Sequence, residues 1–108
     1  MIIQGSNLPI IIPFDEDISD IKDLSVSLFG ENKRGDANVL LKHWDIDDIV
    51  IEEGSITVPL SESDTLGFIP GVAVLEAKWL SKNGDIYPLY TSRIRICGRQ
   101  DKTLLTSD

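Results

Sequence analysis

Cysteine, histidine and aromatic residues are scarce in this chain. Its 108 residues include one cysteine, one histidine and only 6% aromatic residues. Cys97 cannot form an intramolecular disulfide, and the alternating run around it predicts an inert thiol at a strand end. A zinc site on His43 would need carboxylates or the distant Cys97 as further ligands, and neither set has motif spacing. The sequence therefore predicts no metal and no cofactor.

Positive charge and long apolar runs are also lacking. Ten lysines and arginines stand against 18 acidic residues, which gives a formal net charge of -8. Such a surface repels phosphate backbones and anionic lipids, so nucleic acid and membranes are not expected as partners. The longest apolar run, Leu8 to Pro13, is too short to span a bilayer. The N-terminus has no basic segment before a long apolar core, so we expect no signal peptide and a cytoplasmic protein.

Regular alternation of apolar and polar residues is what the chain does have. The clearest examples are Ile56 with Val58, Leu75 with Ala77 and Trp79, and Ile94 with Ile96. This period of two is typical of half-buried strands. The pattern predicts an all-β, immunoglobulin-like antiparallel β-sandwich of about seven to nine short strands, with a small barrel as the alternative. Residues 1–98 form the predicted single domain, and residues 99–108 form a predicted flexible tail.

The strand boundaries follow from the same alternation and from turn residues. A short helical turn is expected within 15–24, and Asn83-Gly84 predicts a hairpin because both residues tolerate positive φ. Glu53-Gly54 predicts a second tight turn. The expected strands are 1–4, 8–14, 25–29, 39–44, 49–51, 56–58, 72–80, 86–91 and 93–97. The expected core comprises Val26, Leu28, Ile56, Val58, Leu75, Ala77, Trp79, Ile94 and Ile96.

Several residue sets suggest chemistry without the required motif. Asp45, Asp47 and Asp48 resemble the start of a calcium loop, but Val50 replaces the required glycine, which favours a solvated acidic turn. Ser61, His43 and Asp64 could compose a triad on paper, but no nucleophile elbow supports it. Trp44, Tyr87 and Tyr90 could offer a sugar-stacking surface. We therefore predict no enzyme and assign no catalytic, cofactor-binding, metal-binding or ligand-binding residue.

One segment resembles a known group of proteins. A leucine, a polar acidic pair, a Thr-Leu step, an aromatic residue and a glycine precede an alternating strand, and an Asn-Gly turn follows. This pattern is similar to that of small structural proteins of phages and prophages of Gram-positive bacteria. The residues that carry the resemblance are 60–71, 72–79 and 83–84, with 51–58, 9–12 and 14–17 upstream.

The resemblance implies an immunoglobulin-like sandwich that serves as a virion or tail-associated module without catalysis. The expected partners are other virion or tail proteins or a second copy of the chain, and the expected location is the virion or the host cytoplasm. The alternative is a carbohydrate-binding or adhesive module. Met1 to Phe14 carries adjacent isoleucines and no charge before Asp15, so we expect this N-terminal segment to form the docking edge.

Overall fold

The computed structural model describes residues 1–31 and 37–98, and these residues are mostly β-strand. The five-stranded sheet has the order β1–β8–β7–β3–β4, and the three-stranded sheet has the order β2–β6–β5. The predicted tail, 99–108, lies outside the described residues. The elements are β1 (Ile2–Ile3), β2 (Ile10–Pro13), β3 (Ile21–Glu31), β4 (Ala37–Asp45), a 3₁₀ turn (Ile46–Asp48), β5 (Val50–Glu52), β6 (Ser55–Val58), α1 (Glu62–Leu66), β7 (Gly71–Ser81) and β8 (Ile86–Cys97).

The large sheet is antiparallel except at one edge. Its long strands β3, β7 and β8 pair in a register that places Val26 opposite Ala77 and Leu28 opposite Leu75. At the edge, β1 runs parallel to β8, with Ile2 opposite Ile96. Because alternate side chains of a strand point to opposite faces, this register brings the apolar residues of neighbouring strands onto one face.

One hydrophobic core takes side chains from both sheets. Eight of the nine predicted core residues are buried, and Ile94 is half-buried against them. The small sheet contributes Ile12, Ile56 and Val58, each no more than 1% exposed. Trp44 is also 1% exposed, and its indole N–H donates to the carbonyl of Pro59 at 2.8 Å. The period of two therefore identified the buried face correctly.

The predicted helical turn within 15–24 is wrong. Residues 15–20 form a loop that ends in a turn, where the N–H of Ile21 donates to the carbonyl of Ile18 at 3.0 Å, and residues 21–24 begin β3. The side chain of Asp17 accepts the N–H of Ser19 at 3.0 Å, and Ile18 is buried. Aspartate favours such local bonds over a helix, and one buried isoleucine is enough to anchor the loop.

A short helix occurs instead at α1, in the polar stretch that follows β6. Ser61 caps it: its hydroxyl accepts the N–H of Asp64, and the Asp64 carboxylate accepts the N–H of Ser61, both at 3.0 Å. Serine followed three residues later by an acidic side chain was the available sequence signal for this reciprocal cap.

The predicted Asn83-Gly84 hairpin is present, and of these two residues Gly84 adopts the left-handed region. Gly84 has φ of 91°, whereas no non-glycine residue in the described chain has positive φ. The N–H of Gly84 donates to the carbonyl of Ser81 at 3.0 Å, and the N–H of Ser81 donates to Asp85 at 2.8 Å. A loop of three residues needs the left-handed conformation only at its last position, and glycine adopts it without strain.

Candidate functional site

The acidic residues proposed for calcium lie at the end of β4 and in the 3₁₀ turn. Asp45, Asp47 and Asp48 are all exposed. In the described part of the chain, no group of three or more histidine, cysteine or acidic side chains is arranged to hold a metal ion. The side chains of Asp45, Asp47 and Asp48 are therefore solvated carboxylates at a turn.

The triad composed from the sequence does not assemble. Ser61, His43 and Asp64 line one surface hollow of about 350 Å³. Their polar atoms are bonded elsewhere, however, because Ser61 and Asp64 cap α1 and Lys42 Nζ lies 3.2 Å from the Asp64 carboxylate. The backbone N–H of Ser61 is the main cause that holds the pKa of Asp64 below its ordinary value.

His43 bonds to a different serine and aspartate, which sequence reasoning did not find. Its Nδ1 lies 2.9 Å from Ser27 Oγ, and its Nε2 lies 3.0 Å from Asp45 Oδ1. The pairing of β3 with β4 places Ser27 directly opposite His43. In a catalytic triad the serine bonds to histidine Nε2, and the aspartate that bonds to Nδ1 is buried. Here Ser27 bonds to Nδ1, Asp45 bonds to Nε2, and the Asp45 side chain is 74% exposed. The geometry is that of a cross-strand polar contact.

The aromatic residues proposed for sugar stacking are placed very differently from one another. Trp44 is buried, so it offers no face to solvent, and Tyr90 is half-buried against the core. Tyr87 is 44% exposed and stacks on Trp79, with ring centroids 4.9 Å apart. Of these candidates in the described chain, only the Tyr87 ring is substantially open to a ligand.

The N-terminal edge is the first of two distinctive surfaces; we use this name for Met1–Ile3 together with Leu8–Ile11. β1 is an outer strand of the large sheet, and β2 is an outer strand of the small sheet. Buried and exposed isoleucines alternate there: Ile2 and Ile12 enter the core, whereas Ile3 is 46% and Ile11 65% exposed. The exposed Ile3 and Ile11 line a groove of about 320 Å³ together with Met1 and Leu8.

Hydrogen bonds fix the segment that joins the two edge strands. The hydroxyl of Thr65, fully buried in α1, accepts the N–H of Gly5 at 3.0 Å and donates to the carbonyl of Ser6 at 2.7 Å. The side chain of Gln4 donates to the carbonyl of Phe68 at 2.7 Å. At the neighbouring strand end, the Cys97 thiol donates to Met1 Sδ at 3.2 Å. The apolar edge is therefore presented by a well-bonded backbone.

The acidic end is the second surface; it comprises the β2–β3 loop (15–20), the β5–β6 turn (52–54) and the β7–β8 turn (81–85), with Tyr87. Two hollows of about 470 and 420 Å³ lie on either side of the β2–β3 loop and share Glu16, Asp17 and Ser19. The second hollow is also lined by Trp79 and Tyr87. The N–H of Ser19 is the main cause that lowers the pKa of Asp17. The acidic end therefore carries charge at neutral pH next to an aromatic pair.

Carboxylates at the acidic end lack cationic partners within the described residues. The ion pairs within the described residues join Lys42 to Asp64, Arg93 to Glu31 and, when the histidine is protonated, His43 to Asp45. None of them includes an acidic residue of the acidic end. Those residues are Asp15, Glu16, Asp17, Asp20, Glu52, Glu53 and Asp85.

Comparison of the chain with protein-family models, curated proteins and solved structures found no match. Among the residues that the structure describes, no helix has the length and apolar character needed to cross a membrane.

Proposed function

We propose that the protein is a non-enzymatic structural or assembly component of a phage or prophage, and that it works by binding other virion proteins. We further propose that its two sheets form an immunoglobulin-like sandwich. Support for the sandwich comes from the single core to which both sheets contribute. The chain lacks the inter-sheet disulfide of antibody domains, because Cys97 is its only cysteine.

The observation that carries the binding role is the uncharged apolar N-terminal edge. Exposed strand edges invite pairing with another chain, and free proteins usually protect such edges with charged residues. Here Met1 to Phe14 contains no charged side chain, although Ile3, Leu8 and Ile11 face solvent. An extended apolar segment of a neighbouring virion subunit, added as a further strand, is the proposed occupant.

Charged substitutions on the outer faces of the edge strands test this proposal. Ile11→Lys should weaken association, because a lysine in the groove must be desolvated when a partner strand docks. Val50→Lys is the matched control, since Val50 is 55% exposed on β5, the opposite edge of the same small sheet. Light scattering across concentration measures self-association, and co-purification with the products of flanking genes measures binding to other proteins. A monomer that captures none of those products would refute the proposal.

A carbohydrate-binding or adhesive module is the second candidate, and Tyr87 is the observation that favours it. Its exposed ring rests on Trp79 and could stack on a sugar ring. Trp44 cannot contribute, since it is 1% exposed. Titration with a panel of soluble oligosaccharides, followed by Tyr87 fluorescence or by NMR, tests this candidate, and Tyr87→Ala should abolish any binding.

A further inference from the structure

The acidic end combines two features that call for different groups on one ligand. Its seven carboxylates outnumber its one cation, Lys82, which forms an ion pair with none of them in the described chain. Like charges held close together repel one another, and an added cation relieves that repulsion. A neutral ligand would leave the repulsion in place, so the charge favours a cationic ligand.

The second feature is an unsatisfied hydrogen-bond donor on Trp79, a residue that lines the same hollow. Trp79 is only 8% exposed, and its Nε1 has no acceptor among the described residues. A buried donor without a partner is costly, which makes it a site where an arriving acceptor can contribute. Trp44 shows the usual arrangement, because its indole N–H reaches the Pro59 carbonyl at 2.8 Å.

The exposed ring of Tyr87 adds a surface suited to a planar cation. It stacks on Trp79 and lines the hollow together with Glu16 and Asp20. Guanidinium and ammonium groups bind favourably over aromatic faces, and carboxylates beside the ring strengthen the attraction. A peptide supplies both requirements, since its side chains bring the cation and its backbone brings the carbonyl acceptor.

We propose that the acidic end binds an arginine- and lysine-rich extended segment of a partner protein, with one cationic side chain over Tyr87 between the carboxylates of Glu16 and Asp20. This interaction does not depend on the N-terminal edge. The two surfaces differ in chemistry, so loss of one should leave the other intact.

NMR titration of the full chain with a short synthetic peptide of alternating arginine and glycine tests the proposal directly. The two tryptophans give two indole N–H signals. The Trp79 signal should shift on binding, whereas the Trp44 signal should stay in place because its N–H is already bonded inside the core. Backbone signals of 16–20 and 83–87 should shift with Trp79.

Matched variants separate a specific site from general attraction to a chain of net charge -8. Glu16→Gln with Asp20→Asn should weaken peptide binding about 2- to 20-fold, given the usual strength of exposed charge pairs. Glu62→Gln with Glu76→Gln makes the same change in charge away from the acidic end and should leave binding within about 2-fold. Tyr87→Ala should cost about 2- to 5-fold and Tyr87→Phe almost nothing, because the phenylalanine keeps the aromatic face.

Three results would overturn the proposal. The first is absence of binding at low ionic strength, where the Debye length is ~30 Å at about 0.01 M salt. The second is equal weakening by both pairs of variants, which would mean non-specific attraction to the net charge. The third is salt-insensitive binding of a neutral oligosaccharide that shifts the same signals while the basic peptide shifts none.

Discussion

The N-terminal edge and the acidic end differ in whether their polar groups have hydrogen-bond or ion-pair partners within the described chain. At the edge, backbone groups of Gly5 and Ser6 bond to the buried Thr65 hydroxyl, and the side chains left open are apolar. At the acidic end, the carboxylates form no ion pair and Trp79 Nε1 lacks an acceptor within the described chain. The edge therefore has apolar area to bury, whereas the acidic end has charge to neutralise.

The long strands keep β1, one part of the N-terminal edge, apart from the acidic end, whereas Ile11 in β2 lies only four residues before Asp15. β7 begins at Gly71, opposite Ile96 and close to β1, and it ends at Ser81, which lines the acidic hollow. Its 11 residues span about 33 Å at roughly 3.3 Å per residue. A separation of this size exceeds the screening length of ~8 Å in physiological salt, so the charge of the acidic end has little effect at β1. A small β protein can in this way hold two binding chemistries without interference.

The largest difference in unfolding free energy is expected between alanine substitutions at two neighbouring residues of β2. Ile12→Ala should cost about 2–5 kcal/mol of unfolding free energy, because it leaves a cavity in the shared core. Ile11→Ala should cost less than ~0.5 kcal/mol, since Ile11 is 65% exposed. Denaturant unfolding measures both. Equal losses would mean that the register of β2 differs from the one described here.

The next largest loss of unfolding free energy is expected when the hydrogen bonds of the Thr65 hydroxyl are removed. Thr65→Val keeps the shape of the side chain but leaves the Gly5 N–H and the Ser6 carbonyl without their bonds to it. The expected loss is about 1–3 kcal/mol, which is the usual cost of an unsatisfied buried group. Hydrogen exchange at Gly5 should accelerate, while exchange at the Asp85 N–H in the acidic end should not change. Unaltered exchange at Gly5 would show that the helix does not hold the edge.

A smaller, pH-dependent effect is expected at Asp64. Its pKa is lowered mainly by the Ser61 N–H, with Lys42 contributing. A lowered pKa stabilises the fold above the ordinary range near about pH 4, and this contribution disappears as the pH falls through the lowered value. Asp64→Asn should therefore cost about 0.5–1 kcal/mol at neutral pH and progressively less in acid. Urea titrations from neutral to acidic pH would show it, and a cost that is independent of pH would exclude this mechanism.

The smallest expected change is a gain in unfolding free energy, whereas the substitutions above are expected to lower it. Glu16→Gln with Asp20→Asn removes two carboxylates that lack cationic partners in the described chain, so unfolding free energy should rise slightly, by less than ~0.5 kcal/mol. The gain should vanish in molar salt, where the Debye length falls to ~3 Å. Thermal unfolding at low and high salt measures this. A loss of stability instead would mean that these carboxylates already have partners.

The sequence predicted buried faces much better than it predicted contacts between distant residues. Period-two alternation identified Val26, Leu28 and Leu75 as core because alternation depends only on neighbours along one strand. The bond of His43 to Ser27 depends on the register between β3 and β4. The residues of one strand do not determine how that strand aligns with its neighbour. For this reason the sequence suggested Ser61 as the partner of His43 and did not suggest Ser27.

The sequence by itself determined the β-rich class, the inward-facing residues, the Gly54 and Gly84 turns and the uncharged character of the N-terminal segment. These properties arise from local backbone preference and from the hydrophobic effect. Only the tertiary structure decided that Trp44 is buried while Tyr87 is open, and that the β2–β3 loop lines one hollow with the β5–β6 turn and a second hollow with the β7–β8 turn. Pairing between strands far apart in the chain set these positions, since it fixes which loops share an end of the molecule.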